Sequence, residues 1–254
     1  MRRSLVAAAW LMTVGLRAPV AQAGTGGPQP DLAREEYRYE ARPAAHPTRG
    51  EPTRVILAID HAPGDTRLSL VTTSRDSTEE IRMAIAPPHS FQRATRRIRK
   101  REALVQHDEV WRDGERVWME SRRGDNVARK SVSLPDLPFA VDASLLLFGR
   151  SFVESDLTEQ RVFMADFSRH SITILLRKRG LEVVTVPAGT FACHKLEVVV
   201  RFLIFKAVIT YWVSAEPPHF LVKHVGRRSP FARTTVTQLV ERSPAWPQAR
   251  LPEF

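Results

Sequence analysis

The chain has 254 residues, of which 43% are hydrophobic, so it is long enough to bury one large core or two small ones. It carries 38 lysines and arginines against 28 aspartates and glutamates, a formal net charge of +10. Cys193 is the only cysteine, which excludes an intramolecular disulfide. No apolar run reaches the roughly 18 residues that a membrane-spanning helix needs. The fold must therefore depend on strand pairing and core burial.

Residues 1–23 have the three parts of a secretory signal peptide. Arg2 and Arg3 form a positive first part, Leu5–Leu16 is apolar, and small residues stand at the expected cleavage site between Ala23 and Gly24. We expect export to the periplasm by ordinary secretion, although the arginine pair also resembles a twin-arginine signal. Because no cysteine follows the cleavage site directly, we expect no lipid anchor.

Residues 24–53 are rich in proline and glycine and predict a flexible leader and linker. Strand-like runs then follow one another, which predicts a single β domain over residues 54–242 and a Pro-rich tail over residues 243–254. Turn residues separate the runs of the first half, as in an antiparallel meander. The strands predicted there are 54–60, 67–73, 80–86, 91–101, 105–111, 116–121 and 128–134.

The densest basic run lies in the predicted strand over residues 91–101. On a strand, Arg93, Arg97, Arg99 and Arg101 share one face. This row could bind phosphates of an anionic envelope component, such as lipid or lipopolysaccharide. The alternative is a solvated edge that discourages strand pairing between molecules.

One segment breaks the strand pattern. Asp142 can cap a helix over Ala143–Phe152, in which Leu145, Phe148 and Phe152 recur at helical spacing. The segment is short and very apolar. Its face must therefore be buried against the sheet or cover a cavity.

The second half returns to strands, predicted at 160–167, 172–178, 181–186, 191–204, 207–213, 220–226 and 233–241. In residues 191–204 one alternating set is mostly apolar and the other is amphipathic, which is typical of a sheet with one solvated face. We predict a mainly β protein, an antiparallel meander curled into a half-barrel or open barrel with one short plug or lid helix. The residues expected to line its hydrophobic concavity are Leu145, Phe148, Phe152, Leu196, Val198, Phe202 and Trp212.

Two corners in the second half carry a resemblance. The first is Val186-Pro187-Ala188-Gly189-Thr190-Phe191, followed by Cys193 and Lys195, and the second is Tyr211-Trp212, followed by Pro218 and Lys223. With them, residues 163–240 resemble an uncharacterised family of bacterial periplasmic proteins, a domain of unknown function. That family is similar to the periplasmic half-barrels of lipoprotein localisation, the Lol carrier and receptor. The resemblance implies a sheet curved around a hydrophobic concavity plugged by a helix, and no established activity.

The corner residues also have a structural interpretation. Pro187 cannot donate to a strand ladder and Gly189 tolerates a positive φ, so the backbone turns between them. The chain departs from the family at Glu216, where relatives have Asp, and in the bulkier turn Pro217–Phe220. The motif residues interpreted as structural are Pro187, Gly189, Thr190, Phe191, Trp212, Pro218 and Lys223.

The sequence contains no recognisable catalytic or metal-binding pattern. The chain has no G-x-S-x-G motif and no Gly-rich phosphate loop. Cys193 and His194 would face opposite sides of a strand, so the histidine could not activate the thiol. His107-Asp108-Glu109 lacks the spacing of helical metal ligands. We therefore predict no enzyme, no catalytic residue, no metal and no cofactor.

The function that these patterns favour is an exported periplasmic carrier that holds a lipid or a lipoprotein acyl chain in the curved sheet. The alternative is an envelope assembly or scaffold protein that binds a partner protein through a sheet edge and the basic strip. We expect no nucleic acid partner, because a basic exported protein meets phosphate-bearing lipids first. We also expect no membrane-spanning segment.

Overall fold

The computed structural model describes residues 34–45, 51–62, 65–86, 90–141, 144–202, 205–227 and 233–243. All described residues belong to one compact unit, which spans Leu32–Phe254. The predicted signal peptide and most of the predicted tail lie outside the described residues.

Within these ranges the chain forms fifteen strands and one helix. The first half contains β1 (Arg34–Pro43), β2 (Thr53–Ala62), β3 (Asp65–Ser74), β4 (Ser77–Ala86), β5 (Ser90–Lys100), β6 (Ala103–Asp113), β7 (Arg116–Arg123), β8 (Asn126–Ser133) and β9 (Phe139–Val141). Helix α1 (Ser144–Glu154) follows. The second half contains β10 (Glu159–Ala165), β11 (Ser171–Val186), β12 (Gly189–Phe202), β13 (Phe205–Ser214), β14 (Leu221–Gly226) and β15 (Thr235–Ser243).

All fifteen strands belong to one sheet, in the order β8-β7-β6-β5-β4-β3-β2-β1-β15-β14-β13-β12-β11-β10-β9. Each half is a meander of neighbouring strands, and the pairing of β1 with β15 joins the two halves. The pairs are antiparallel except for β9 with β10, which is parallel. The sheet is therefore open, with β8 and β9 as its two edges.

The sheet curls until its edge regions approach each other across the interior. The rings of Phe91 on β5 and Phe139 on β9 pack edge to face with centroids 5.4 Å apart. Near the other edge, Lys130 Nζ of β8 donates to the carbonyl oxygen of Arg169, 3.3 Å away, in the loop after β10. Strand twist accumulated over many strands produces such curling. The predicted fold class, a curled open antiparallel sheet with one plug helix, is confirmed.

Helix α1 lies between two hydrophobic cores. The first core is built mainly from the inward faces of β1–β7 and includes Ile59, Phe91 and Met119, with Leu147 from α1. The second core fills the space between α1 and the concave face of β10–β13. Its buried side chains are Ala140, Leu145, Phe152, Val153, Val162, Ile174, Leu176, Leu196, Val198 and Val213.

Strands β1 and β11 differ most from the ranges that the sequence predicts. Strand β1 occupies Arg34–Pro43, inside the stretch predicted to be a flexible leader, and it lies in the middle of the sheet. Its alternate residues Glu35, Tyr37 and Tyr39 are buried, which holds this polar segment in place. Strand β11 is continuous where two strands are predicted. Gly180, which has a φ of +98°, is accommodated by a register shift between Lys178 and Leu181.

Among the described residues, no helix has the length and apolar character needed to cross a membrane.

Candidate functional site

The second core brings together most of the residues predicted to line the concavity. Leu145 and Phe152 of α1 are buried against Leu196 and Val198 of β12. The fit is close, because a Cβ added at Gly149 would lie 3.8 Å from the Leu196 Cδ1 atom. Alternation along β12 directs this face inward, as the sequence predicts. The helix thus occupies the space that a ligand would need.

Half-buried apolar side chains surround this core. They come from α1 and from the strands that face it, and they pack against the buried residues while part of their surface stays in solvent. Apolar side chains grouped in this way are typical of ligand-binding clefts. The surrounding residues are Phe148, Met164, Ile172, Val200, Ile209 and Tyr211.

A buried ion pair ties the middle of α1 to strand β1. Arg150 donates from Nη1 to Glu35 Oε1 at 3.1 Å and from Nη2 to Glu35 Oε2 at 2.8 Å. The Tyr37 hydroxyl donates to Glu35 Oε2 at 2.6 Å, and His61 Nε2 lies 2.8 Å from Oε1. Only 2% of the Glu35 side chain is exposed, so these partners replace water around the carboxylate. We call Glu35, Tyr37, His61 and Arg150 the latch.

Electrostatics in the latch favour the charged pair. Burial by itself would raise the pKa of Glu35, but the charge of Arg150 and the hydrogen bonds from Arg150, Tyr37 and His61 outweigh it and lower the pKa. Burial raises the pKa of Tyr37, which stays neutral and donates. Tyr39 is fully buried nearby, and its hydroxyl has no hydrogen-bond partner in the described part of the chain.

A second polar contact holds the end of α1 from the opposite wall. Lys178 Nζ of β11 donates to the carbonyl oxygen of Val153, 3.0 Å away, and to that of Ser155. These carbonyls lie at the C-terminal end of the helix, where a cation is favourable. Burial lowers the pKa of Lys178. The helix is therefore fixed at two polar points, one on β1 and one on β11.

One residue predicted for the concavity, Trp212, is not part of it. Trp212 lies on the opposite face of β13, because it adjoins Tyr211, which faces α1. There its indole Nε1 donates to Glu182 Oε2 at 2.8 Å, with the Lys195 and Lys223 amines over the ring. The side chain of Phe202 lies outside the described part of the structure.

The predicted basic strip is only partly formed. Arg93, Arg97 and Arg99 alternate on the outer face of β5, whereas Arg101 lies in the turn after the strand. Arg93 pairs with Glu109, and Arg99 lies 3.8 Å from Glu80. Arg97 has no acidic partner in the ranges that the structure describes.

The two corners singled out by the sequence act as turns and packing points. Pro187 and Ala188 form the loop between β11 and β12, and Gly189 has a φ of +131°. Beside the loop, the Thr185 and Thr190 hydroxyls lie 3.0 Å apart. Phe191 packs edge to face on Phe220, which follows the turn containing Pro218. These contacts agree with the structural interpretation of the motif.

Cys193 and His194 are adjacent in the sequence but are not paired with each other in the structure. Cys193 is buried and burial raises its pKa to about 12, so its thiol stays protonated. Leu181 and Val213 are the strand partners of His194, whereas Glu182 and Ser214 are those of Cys193, so the two side chains face opposite sides. No group of three or more metal-ligating side chains occurs in the described ranges.

Sequence reasoning missed the latch. Glu35 and Tyr37 fall in the predicted leader, and Arg150 lies in a helix whose prediction depends on its apolar residues alone. The available signal was the alternation of Glu35, Tyr37 and Tyr39, which is typical of a strand with one buried face. The pairing of Glu35 with Arg150 joins residues 115 positions apart and leaves no trace in the sequence.

Fold and site together define a curled single-sheet β protein with a helix held in its concavity. No protein-family model matches the chain, and neither does any curated protein. The chain shares its fold with a solved "Beta-barrel-like Protein of Domain of Unknown Function DUF1849" from Brucella abortus, at a TM-score of 0.52 and 8% identity. That match covers 83% of this chain and 97% of the Brucella chain.

Two further matches are weaker. A proposed lipoprotein from Parabacteroides distasonis has a TM-score of 0.34 and 12% identity, covering 82% of this chain and 94% of its own. A proposed exported protein with a YmcC-like fold from Bacteroides fragilis has a TM-score of 0.31 with the same identity and coverage. The Brucella match shows the fold alone. None of these three structures is described as a Lol carrier or receptor, so the resemblance to those proteins stays a prediction.

Proposed function

We propose that the protein is an exported, non-enzymatic envelope protein that binds an apolar ligand, such as a lipid acyl chain, between α1 and the concave face of β10–β13. The observation that carries this proposal is that a single short helix, α1, closes the second core. Leu145, Phe152 and Val153 of α1 cover Leu196 and Val198, so a shift of α1 would open an apolar surface on the sheet.

An acyl chain has the chemistry to replace the side chains of α1. Each methylene that leaves water contributes about 0.8 kcal/mol, so a chain lying along this face would gain several kilocalories per mole. The half-buried side chains Phe148, Ile209 and Tyr211 already present apolar surface to solvent and would contact the ligand first. Export is supported by the predicted signal peptide.

Fluorescence titration of the purified protein with a long-chain fatty acid carrying an environment-sensitive fluorophore tests the proposal. Ile209 faces the second core, whereas its neighbour Val208 lies on the other face of β13 and is 44% exposed. We expect Ile209→Glu to weaken binding about tenfold or more, because a carboxylate would be desolvated by the ligand. Val208→Glu, which makes the same chemical change, is the matched control and should bind as the unaltered protein does.

Thermal unfolding of both variants controls for misfolding, and Phe148→Ser supplies a second reading if Ile209→Glu is unstable. Saturable binding that is equal in all variants would place the ligand elsewhere. Absence of any binding, together with native mass spectra of periplasmic protein free of lipid, would reject the proposal.

The position of α1 predicts how the latch affects binding. If ligand enters only when α1 has shifted, the measured affinity is reduced by the fraction of molecules in the shifted state. Glu35→Gln weakens the bond to Arg150 and should raise both the association rate and the affinity. An unchanged association rate in stopped-flow measurements would contradict entry beneath α1.

A partner protein is the competing interpretation. Among described strands, β8 pairs only with β7, so its other edge has backbone groups available for strand addition. Crosslinking in cells that recovers one dominant protein partner through β8, with no lipid in the purified protein, would favour a scaffold role.

A further inference from the structure

The outer face of β3–β5 brings three arginines together around one small residue. Ala84 on β4 stands directly opposite Arg67 on β3 and Arg93 on β5. Arg82 lies two residues earlier on β4 and therefore on the same face. Directly opposed residues have Cβ atoms about 5 Å apart, and residues two apart on one strand are separated by about 6.6 Å. We call Arg67, Arg82 and Arg93 the arginine cluster.

The guanidinium groups of the arginine cluster are accessible to a ligand. Arg67 Nε donates to Asp65 Oδ2 at 2.9 Å, and Arg82 Nε donates to Glu80 Oε1 at 2.7 Å. Arg93 Nε donates to Glu109 Oε1. The three side chains are 75%, 66% and 63% exposed, and exposed pairs of this kind contribute little free energy. A dianion held by several guanidinium groups at once can compete with them.

The arginine cluster borders an open groove of about 560 Å³ on the face turned away from the first core. The floor of the groove is formed by small side chains, those of Ala58, Ser69 and Ala84. One end of the groove is apolar because Ile56 and Val71 line it. Four arginines line the groove, the three of the cluster and Arg34, whereas its lining contains a single carboxylate, that of Asp60. The groove therefore offers four guanidinium groups, each paired with a carboxylate, beside hydrocarbon.

This combination selects the chemistry of the ligand. Arginine binds phosphate through paired N–H donors, and the geometry of its planar fork suits phosphate better than a point charge does. A free phosphate would use the arginine cluster but not the apolar end of the groove. A phospholipid uses both, because its headgroup phosphate lies next to glycerol and acyl carbons.

We propose that this groove binds the phosphate headgroups of anionic lipid at a membrane surface, with Arg67, Arg82 and Arg93 around the phosphate. The site lies on the opposite face of the sheet from the second core, so it is independent of the proposed acyl-chain site. Bound in this way, the protein would rest on the membrane with the outer face of β2–β5.

Cosedimentation with vesicles tests the proposal. The vesicles contain phosphatidylcholine alone or phosphatidylcholine with an equal share of phosphatidylglycerol. We expect binding to the anionic vesicles that weakens as salt is added, because exposed charges are screened. Ala84→Glu places a carboxylate among the three arginines without removing any of them, and it should weaken binding about tenfold.

Val208→Glu is the matched control, since it changes the net charge equally on an exposed position of β13. It should retain most of the binding. Equal loss in both variants would mean that net charge alone attracts the protein, and full binding by Ala84→Glu would remove the site; either result overturns the proposal. Arg67→Gln is a second variant, expected to weaken binding severalfold, should Ala84→Glu unfold at a lower temperature.

Calorimetric titration with inorganic phosphate separates the two sources of the anion. Phosphate binding lost in Ala84→Glu, without any binding to vesicles, would overturn the lipid assignment. Vesicle binding with weak or undetectable phosphate binding supports it. Fatty-acid titrations of Ala84→Glu should be unchanged, so failure here would be distinguishable from failure of the acyl-chain proposal.

Discussion

The two cores on either side of α1 differ in what closes them. The first core is enclosed by strands that pack across the curled sheet, and α1 contributes only Leu147 to its fully buried set. The second core is closed by α1 itself, through Leu145, Phe152 and Val153. The first core therefore stabilises the sheet directly, whereas the proposed ligand entry requires the second core to open at α1 while the sheet stays folded. The latch and Lys178 are the polar contacts that hold α1 over the second core.

The largest expected effect is in the first core. Phe91 is 2% exposed and packs edge to face on Phe139, so Phe91→Ala should lower the free energy of unfolding by about 3–5 kcal/mol. Phe148→Ala, in the half-buried margin of the second core, is the comparison and should cost about 1 kcal/mol. Urea denaturation measures both. Similar losses would mean that the two cores are equally closed.

The latch should be nearly as important for stability. Glu35→Ala leaves the Arg150 guanidinium buried without its partner and should cost about 3 kcal/mol. Glu36→Ala is the matched control, because the neighbouring carboxylate pairs with the exposed Arg38 and its loss should cost less than about 1 kcal/mol. Urea denaturation measures both losses. If Glu35→Ala costs as little as Glu36→Ala, the Arg150 guanidinium is hydrated by water once Glu35 is removed.

How far the sequence predicts these features depends on the distance over which each signal acts. Alternation of apolar residues and turn chemistry are local, and they predicted the meander. The spacing of Leu145, Phe148 and Phe152 is also local, and it predicted the helix. Trp212 was misplaced because alternation assigns Tyr211 and Trp212 to different faces without saying which face is concave.

The latch could not be predicted because it depends on contacts between distant parts of the chain. Residues 34–43 lie within the stretch rich in proline and glycine and are mostly charged. On their own they therefore predict a solvated linker. A buried Glu35 makes sense only once Arg150 and Tyr37 satisfy its carboxylate. The arginine cluster could not be predicted from the sequence either, since it arises from the register between three strands and not from the basic run within β5.

A close backbone approach next to the second core gives a third prediction. A Cβ at Gly226 would lie 2.6 Å from Ile209 Cγ2 and 2.9 Å from His224 Nε2, so Gly226→Ala would displace the Ile209 side chain. We expect a loss of about 1–3 kcal/mol, together with weaker fatty-acid binding. A stable variant with normal binding would show that β13 and β14 separate without affecting the second core.

Acidification should weaken the latch in a defined pH range. The pKa of Glu35 is lowered in the folded protein, so the stability it contributes is complete above its ordinary value, about 4.3, and is lost as the pH falls through the folded value. The stability difference between the unaltered protein and Glu35→Gln should therefore be constant near neutral pH and shrink below about pH 4.3. Urea denaturation at a series of pH values measures it. A constant difference down to pH 3 would contradict the role of the ionised carboxylate.

The smallest expected effect separates helix stability from helix position. Gly149 lies inside α1, where an added Cβ would meet only Leu196 Cδ1 at an ordinary 3.8 Å. Gly149→Ala should stabilise the protein by about 0.5–1 kcal/mol, since glycine is a poor residue for a helix interior. If ligand entry requires only that α1 shifts as an intact helix, this variant should bind fatty acid at an unchanged rate. If entry requires that α1 unfolds, association should slow in proportion to the added stability, and stopped-flow fluorescence distinguishes the two.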